Sequence, residues 1–238
     1  MSTIKHMRDK LSTGNESMDK LLGGGVEAGA LTNFCGTPGT GKTNVCMLTA
    51  IEAIKQNKKV IFIDTEGGFS LERFEQLTSV KSSFLGRIIF MAPKTFREQE
   101  GIIKKLDDMC ADGSVGLVVL DSAVALYRLE YAETDDVLAA NKQLGIQLAL
   151  LSNLARERKI PVLITSHVFR KFETEKTEII GGDAIKYWCK TIVFIEKTNE
   201  LSRRRAILLK HRSLEEGREV EFYLTGTGIE AAEKFKIF

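Results

Sequence analysis

Gly36-Thr37-Pro38-Gly39-Thr40-Gly41-Lys42-Thr43 matches G-x-x-x-x-G-K-[ST], the phosphate-binding loop, and its neighbours have the order that loop requires. The apolar run over 31–35 reads as a strand, and residues 45–54 read as a helix. Glycines let consecutive backbone N–H groups turn inward on a phosphate chain, and the helix N-terminus adds its positive dipole end. Gly36, Thr37, Pro38, Gly39, Thr40, Gly41, Lys42 and Thr43 are therefore the expected nucleotide-contacting residues. Lys42 brings a point charge to the outer phosphates, and the Thr43 hydroxyl is the expected Mg2+ ligand. The alternative is a chance glycine-rich turn, and the strand before and helix after make it the rarer case.

Working outward, strand-like and helical runs alternate, which is the pattern of a mainly parallel sheet built from βα units. A strand over 59–64 ends in Asp64, a helix covers 71–77, and a strand covers 87–91. Helical spacing over 95–110 precedes a wholly apolar strand over 116–121 that ends in Asp121. A long helix over 138–159 carries Leu144, Leu148, Leu151 and Leu154 on one face. A strand over 161–166 follows, then Gly181-Gly182 and a short helix. The runs over 191–196, 204–209 and 220–224 read as an antiparallel meander. There is no internal repeat and no Pro/Ser-rich linker, so residues 1–238 are expected to form one domain.

The composition, 43% hydrophobic and 28% charged, is that of a globule with a proper core. No run approaches the ~20 apolar residues of a membrane helix, and residues 1–10 do not resemble a signal peptide. Cys35, Cys46, Cys110 and Cys189 form no CxxC pair, so neither a zinc site nor a disulfide framework is indicated. A cytoplasmic setting is expected, with Cys35 and Cys46 filling space beside the loop. The net charge of +2 is small, but it is unevenly placed. Residues 197–212 hold six Lys or Arg against one acid, whereas 128–136 hold one Arg against four acids.

Asp121, delivered by a buried strand at its C-terminal edge, can hold a magnesium-bound water beside the phosphates. Glu66, just after the strand that ends at Asp64, can polarise the water attacking the terminal phosphate, or it is simply a solvated loop acid. Arg73 is either a solvated helix arginine or a guanidinium placed to stack on adenine. Arg203, Arg204, Arg205, Lys210 and Arg212 lie around a predicted hairpin. Alternation there puts Arg203, Arg205, Ile207, Leu209 and His211 on one face and Arg204, Ala206, Leu208, Lys210 and Arg212 on the other. They bind phosphate, of DNA or of a neighbour's nucleotide, or they form a solvated hairpin tip. Phe169 and Phe172 either stack on unpaired bases or anchor their loop. Tyr187 and Trp188 are expected to pack on the core.

Leu11-Ser-Thr-Gly14, Met18-Asp-Lys-Leu-Leu-Gly-Gly-Gly25 and the phosphate loop together resemble the RecA/RadA class of ATPases. Asp64-Thr-Glu-Gly67, Leu120-Asp-Ser-Ala-Val-Ala-Leu-Tyr-Arg128, Ile164-Thr-Ser-His167 and Ile180-Gly-Gly-Asp183 are similar to its archaeal and eukaryotic recombinase branch. The resemblance spans about 11–228 and implies a RecA-like P-loop ATPase core with a C-terminal antiparallel extension. It implies Glu66 as the water-activating residue, Arg73 as the adenine-stacking arginine and Asp121 as the metal-site acid. His167 falls where that class carries a glutamine that senses the nucleotide state. Tyr187 falls near a nucleotide-touching position.

The departures narrow the resemblance further. The helical N-terminal DNA-binding domain and the Phe-x-x-Ala linker are not found. The first DNA loop, after Leu126, is acidic, with Arg128 its only base. In the second loop, 168–179, Arg170, Lys171 and Lys176 are offset by three glutamates. Lys210-His-Arg-Ser-Leu-Glu-Glu216 replaces the proline-bearing cap. A chain of this form looks like the RadB family of archaeal recombinase paralogues. That likeness implies an accessory role in homologous recombination and repair, with ATP and Mg2+ as cofactors and weak hydrolysis. The implied partners are DNA, bound without sequence preference and preferably as single strands, the RadA-type recombinase, and other recombination nucleases. Self-association is expected to be weak or of low order. Two alternatives stand beside it. One is a KaiC-like signalling ATPase, against which Gly67 speaks, because that branch carries a second glutamate there. The other is an ATP-gated protein–protein adaptor with incidental DNA affinity.

Overall fold

A computed structural model describes residues 10–78, 82–133, 137–170 and 177–232. In chain order the elements are β1 (Lys10–Leu11), α1 (Glu16–Leu21), β2 (Val26–Glu27), β3 (Leu31–Cys35), α2 (Lys42–Lys55), β4 (Lys59–Asp64), α3 (Leu71–Thr78), β5 (Ile88–Met91), α4 (Phe96–Met109), β6 (Val115–Asp121) and α5 (Ala125–Glu133). They continue with α6 (Val137–Arg158), β7 (Val162–Ser166), β8 (Val168–Arg170), β9 (Thr177–Ile179), α7 (Gly182–Trp188), β10 (Thr191–Lys197), β11 (Arg203–His211), β12 (Glu219–Thr225) and β13 (Gly228–Ala231). Nine strands form one sheet in the order β13-β12-β11-β10-β3-β7-β6-β4-β5. It is parallel from β10 to β5 and antiparallel from β10 to β13.

The parallel strands are covered on both faces, which is why they read as unbroken apolar runs rather than alternating ones. Val60, Ile61, Phe62 and Ile63 of β4 are all fully buried. One face packs on α1, α2 and α3, with Phe34, Phe62 and Leu117 meeting Met47, Ile51 and Phe74. The other face packs on α4, α5, α6 and α7, with Ile61, Val118 and Ile164 meeting Ile103, Leu148 and Leu151. The chain crosses from β3 over the positions of β7 and β6 to reach β4. Ligands of such sheets bind at the carboxyl ends of strands where the winding switches. Here the C-terminal ends of β3, β7, β6 and β4 share that edge.

Three expectations need correction. The segment after Leu126 is not a loop: Ala125–Glu133 is helical, because Leu126 and Tyr127 bury against the core while Arg128, Leu129 and Glu130 face outward. The meander has a fourth strand, β13, paired with β12 across a tight turn at Thr225–Gly228. The alternation assumed along β11 also fails. Ile192 faces Lys210 but Val193 faces Leu208, so Leu209 is the extra residue of a bulge. Beyond the bulge the faces exchange, and His211 is buried on the side of Ala206 and Leu208.

Candidate nucleotide site

Gly36 follows β3 at a point where only a glycine fits. A Cβ there would lie 2.1 Å from the Ile195 carbonyl oxygen and 2.9 Å from Thr40 Oγ1. Gly41, at the N-terminal end of α2, has φ +99°, and a Cβ would lie 2.9 Å from Leu224 Cδ2. The loop thus closes against β10 and β12, and α2 begins with its free N–H groups at the loop's mouth. The cleft in front of it, about 280 Å³, is lined by Pro38, Gly39, Lys42, Thr43, Glu66, Ser122, His167 and Leu224, among others.

The Lys42 ammonium folds into the loop and donates to the Gly36 and Thr37 carbonyls, each at 3.0 Å. Burial lowers its pKa, while Asp121 and Glu66 nearby act in the opposite direction. A phosphate chain entering the loop offers the same ammonium better partners. Thr43 Oγ1 donates to Asp121 Oδ2 at 2.7 Å, and Thr165 Oγ1 donates to Asp121 Oδ1 at 2.5 Å. Burial raises the Asp121 carboxyl, opposed by those two hydroxyls. A buried carboxylate beside a hydroxyl, with no lysine or arginine on either oxygen among the described residues, is an oxygen donor pair suited to Mg2+ and its waters. Among the described residues there is no His, Cys, Asp and Glu cluster that would make an all-protein metal cage.

Glu66 lies across the cleft on the loop after β4. That loop is shaped by Asp64, whose Oδ1 accepts from the N–H groups of Glu66, Gly67 and Gly68 at 3.1, 2.9 and 3.2 Å, and whose Oδ2 accepts from Phe69 N at 2.8 Å. Glu66 Oε2 accepts from Ser122 Oγ and lies 3.1 Å from His167 Nε2. The hydrogen bond to His167 holds the Glu66 carboxyl below its ordinary pKa, with burial opposing and Ser122 assisting. His167 follows β7, so the three strands after β3 in the sheet order deliver His167, Asp121 and Glu66 to one edge.

Arg73 does reach the site's flank. Its Nε donates to Asn44 Oδ1 at 2.9 Å, and its Nη atoms donate to the carbonyls of Thr225 and Gly226 at 2.8 Å each. These bonds use the guanidinium edge, which leaves its flat face as the surface that stacking would use. Cys35 and Cys46 are buried against the loop, and burial pushes the Cys35 thiol up to about 12. Both fill space, as expected.

The basic stretch behaves differently from a free cationic strip. Arg203 pairs with Glu200 and Glu221, and Arg205 pairs with Glu196 and more distantly with Glu219. Arg212 pairs at 2.6 Å with Glu27, which is almost wholly buried. Lys210 donates to the Lys186 carbonyl, and Arg204 donates to the carbonyls of Arg203 and Gly39. The acids that neutralise the strip come from β2, β10, β12 and the turn before β11, and proximity in sequence revealed only Glu200. Arg128 and Phe169 lie together instead, on a cavity of about 840 Å³ also lined by Tyr127, Glu178, Gly181 and Asp183. Arg170 ends β8. Lys171, Phe172, Glu173, Glu175 and Lys176 lie outside the described residues, as do Asp135 and Asp136. Trp188 packs at the core's edge, but Tyr187 is 70% exposed and meets the Trp188 ring edge-on.

Sequence reasoning passed over Ser122, Thr165, Asn44 and Leu224. Ser122 and Thr165 stand within motifs already singled out, so their spacing was visible while their partners were not.

Residues 6–232 match the Rad51 family model. Among curated proteins, the chain is 39% identical over 219 residues to the DNA repair and recombination protein RadB of Methanosphaera stadtmanae, covering 90% of this chain and 93% of that protein. It is 38% identical over 227 residues to the protein of the same name from Methanococcoides burtonii, covering 95% and 100%. Among solved structures, the crystal structure of the RadB recombinase superposes with a TM-score of 0.80 at 36% identity, covering 94% of this chain and all of that one. A sheet in this order, a phosphate loop at its switch point and likeness across nine-tenths of the length lead to one assignment: the chain belongs to the Rad51 family of RecA-like proteins, within its RadB group.

Proposed function

We propose that this protein is an ATP- and DNA-binding accessory factor of homologous recombination and DNA repair that works in the cytoplasm with a RadA-type recombinase and hydrolyses ATP slowly. One observation carries the nucleotide reading: a buried Lys42 ammonium, held by the loop carbonyls of Gly36 and Thr37, stands in a cleft shared with Glu66 and with Thr43, whose hydroxyl meets Asp121. In this reading the loop N–H groups and Lys42 hold the phosphates. Thr43 and Asp121 hold Mg2+, which when bound neutralises charge on the outer phosphates. The Glu66 carboxylate accepts a proton from the attacking water as its oxygen bonds to the terminal phosphorus and the bond to ADP breaks. In the same reading Arg73 stacks on adenine, and His167 reports the phosphate's presence, a role its contact with Glu66 supports. A Mg-ATP-dependent rise in melting temperature that Lys42→Ala removes is the test.

For DNA, the relatives' names and the family support the reading, and Lys197, Arg204 and Lys210 are the strip's cations with no carboxylate partner among the described residues. Arg203, Arg205 and Arg212 contribute less, because each would have to leave a carboxylate to meet a phosphate. The same pairing gives the adaptor reading a specific observation in its favour, since a neutralised strip binds DNA weakly. Partner capture with purified RadA-type recombinase, with and without single-stranded DNA, separates the two. No described helix is long and apolar enough to cross a membrane.

A further inference from the structure

The residue after Asp121 is held on every side but one. Ser122 has φ +61°, the left-handed region that a non-glycine residue occupies only when its surroundings fix it. It is buried. Its N–H donates to Thr165 Oγ1 at 2.7 Å, and that hydroxyl in turn donates a hydrogen bond to Asp121 Oδ1. Its carbonyl accepts from Thr65 Oγ1 at 2.8 Å, and the Asp121 carbonyl accepts from the same hydroxyl at 3.1 Å. The remaining group, the Ser122 hydroxyl, donates to Glu66 Oε2. His167 meets that same oxygen, so both contacts fall on Oε2 and neither on Oε1.

We propose that Ser122 is a positioning residue for hydrolysis. It fixes the Glu66 carboxylate with Oε1 turned to the water and ties that carboxylate, through Thr165, to the Asp121 carboxylate at the metal position. The inference rests on the reading of Glu66 given above. Glutamate has three rotatable bonds and reaches this cleft from a surface loop, so it needs a fixed anchor to present one oxygen repeatedly. The left-handed backbone supplies it, because it turns the Ser122 side chain off the end of β6 and across the cleft toward β4. Misplacing a reacting group by about an ångström can cost on the order of a hundredfold in rate.

The test compares four variants in single-turnover ATP hydrolysis and in binding of Mg-ADP with aluminium fluoride, which mimics the phosphoryl group in flight with its in-line water. Ser122→Gly removes the hydroxyl and suits φ +61°, so it deletes the contact without straining the chain. We expect hydrolysis to fall about tenfold or more with KM for ATP unchanged, affinity for the mimic to fall by a similar factor, and affinity for Mg-ADP to hold. The acid limb of the rate profile should move to higher pH, because Glu66 loses a donor that stabilises its charged form. Ser122→Asn, which tolerates a left-handed backbone and carries an N–H donor, should recover part of both losses. Ser122→Cys, nearly isosteric with a weak donor, carries the comparison if the glycine variant does not fold. Glu66→Gln is run alongside. If it abolishes hydrolysis while Ser122→Gly keeps the wild-type rate and mimic affinity, the positioning role is overturned. If Glu66→Gln itself hydrolyses normally, the role of Glu66 falls first and that of Ser122 with it.

Discussion

Replacing Lys42 with alanine removes the charge at the centre of the loop, and the structure sets the size of the effect. In the nucleotide-free protein two terms oppose each other. The variant leaves the Gly36 and Thr37 carbonyls without their 3.0 Å donor, a loss of about 1 kcal/mol per hydrogen bond. It also removes a buried ammonium whose pKa the fold lowers. A lowered lysine pKa means that the charged form opposes folding at neutral pH, so its removal stabilises. The nucleotide-free melting temperature should therefore change by only a few degrees. With Mg-ATP at about one hundred times its dissociation constant, the wild type gains ~2.7 kcal/mol, or roughly 5–10 °C for a chain of this length. A unit charge about 4 Å from a phosphate charge, at an effective dielectric of about 20, is worth roughly 4 kcal/mol. That weakens binding about a thousandfold, so the same ATP concentration stabilises the variant by only about 0.1 kcal/mol. The assay is thermal unfolding with and without Mg-ATP, with urea unfolding as a check. A Lys42→Ala protein that keeps the full ATP-dependent shift would falsify the assignment of the loop.

Glu66→Gln should bind Mg-ATP as the wild type does and lose most hydrolysis, since the amide can hold a water but cannot take its proton; undiminished single-turnover hydrolysis removes Glu66 from the mechanism. Asp121→Asn should abolish the magnesium-dependent part of ATP stabilisation without destabilising the nucleotide-free fold at pH 7. Burial raises the Asp121 carboxyl, so its favourable contribution is present below the unfolded pKa of about 3.9 and is lost as pH rises through the folded value. The variant's advantage should therefore shrink toward pH 4, and a variant that melts clearly below wild type at pH 7 contradicts this account. Binding to single-stranded DNA should follow a slope of log K against log salt of roughly −3 if about four phosphates are met. Lys210→Ala should flatten it by about 0.7 units and Arg212→Ala by less, since Glu27 already neutralises Arg212. Loss of binding in Arg128→Ala with Lys210→Ala unaffected would move the DNA site to the α5 cavity.

The local pattern was enough to place most of the sheet. Strands buried on both faces show as continuous apolar runs, which is why 31–35, 59–64 and 116–121 were legible to within a residue or two of β3, β4 and β6. Glycines obliged by close approach, such as Gly36 against Ile195, mark the phosphate loop in any order of reading. Two elements were not legible: β13 has four residues, and α5 carries the acidic stretch, while the burial of its Leu126 and Tyr127 comes from distant partners. The bulge at Leu209 changed which face His211 joins, and no alternation rule announces an inserted residue.

The sequence by itself determined the residue types of the candidate nucleotide site and their order, because each is delivered by a strand end or a helix start that local pattern specifies. Only the tertiary structure decided which of them meet. It joined Ser122 and His167 to one oxygen of Glu66 and linked Thr165 and Thr43 through Asp121. It also neutralised three arginines with glutamates from two neighbouring strands and from the distant Glu27. The physical reason is that hydrogen bonds and ion pairs act over about three ångströms, while these partners stand from nine to almost two hundred residues apart in the chain; the strand order of the sheet, not sequence spacing, sets which groups come within that reach.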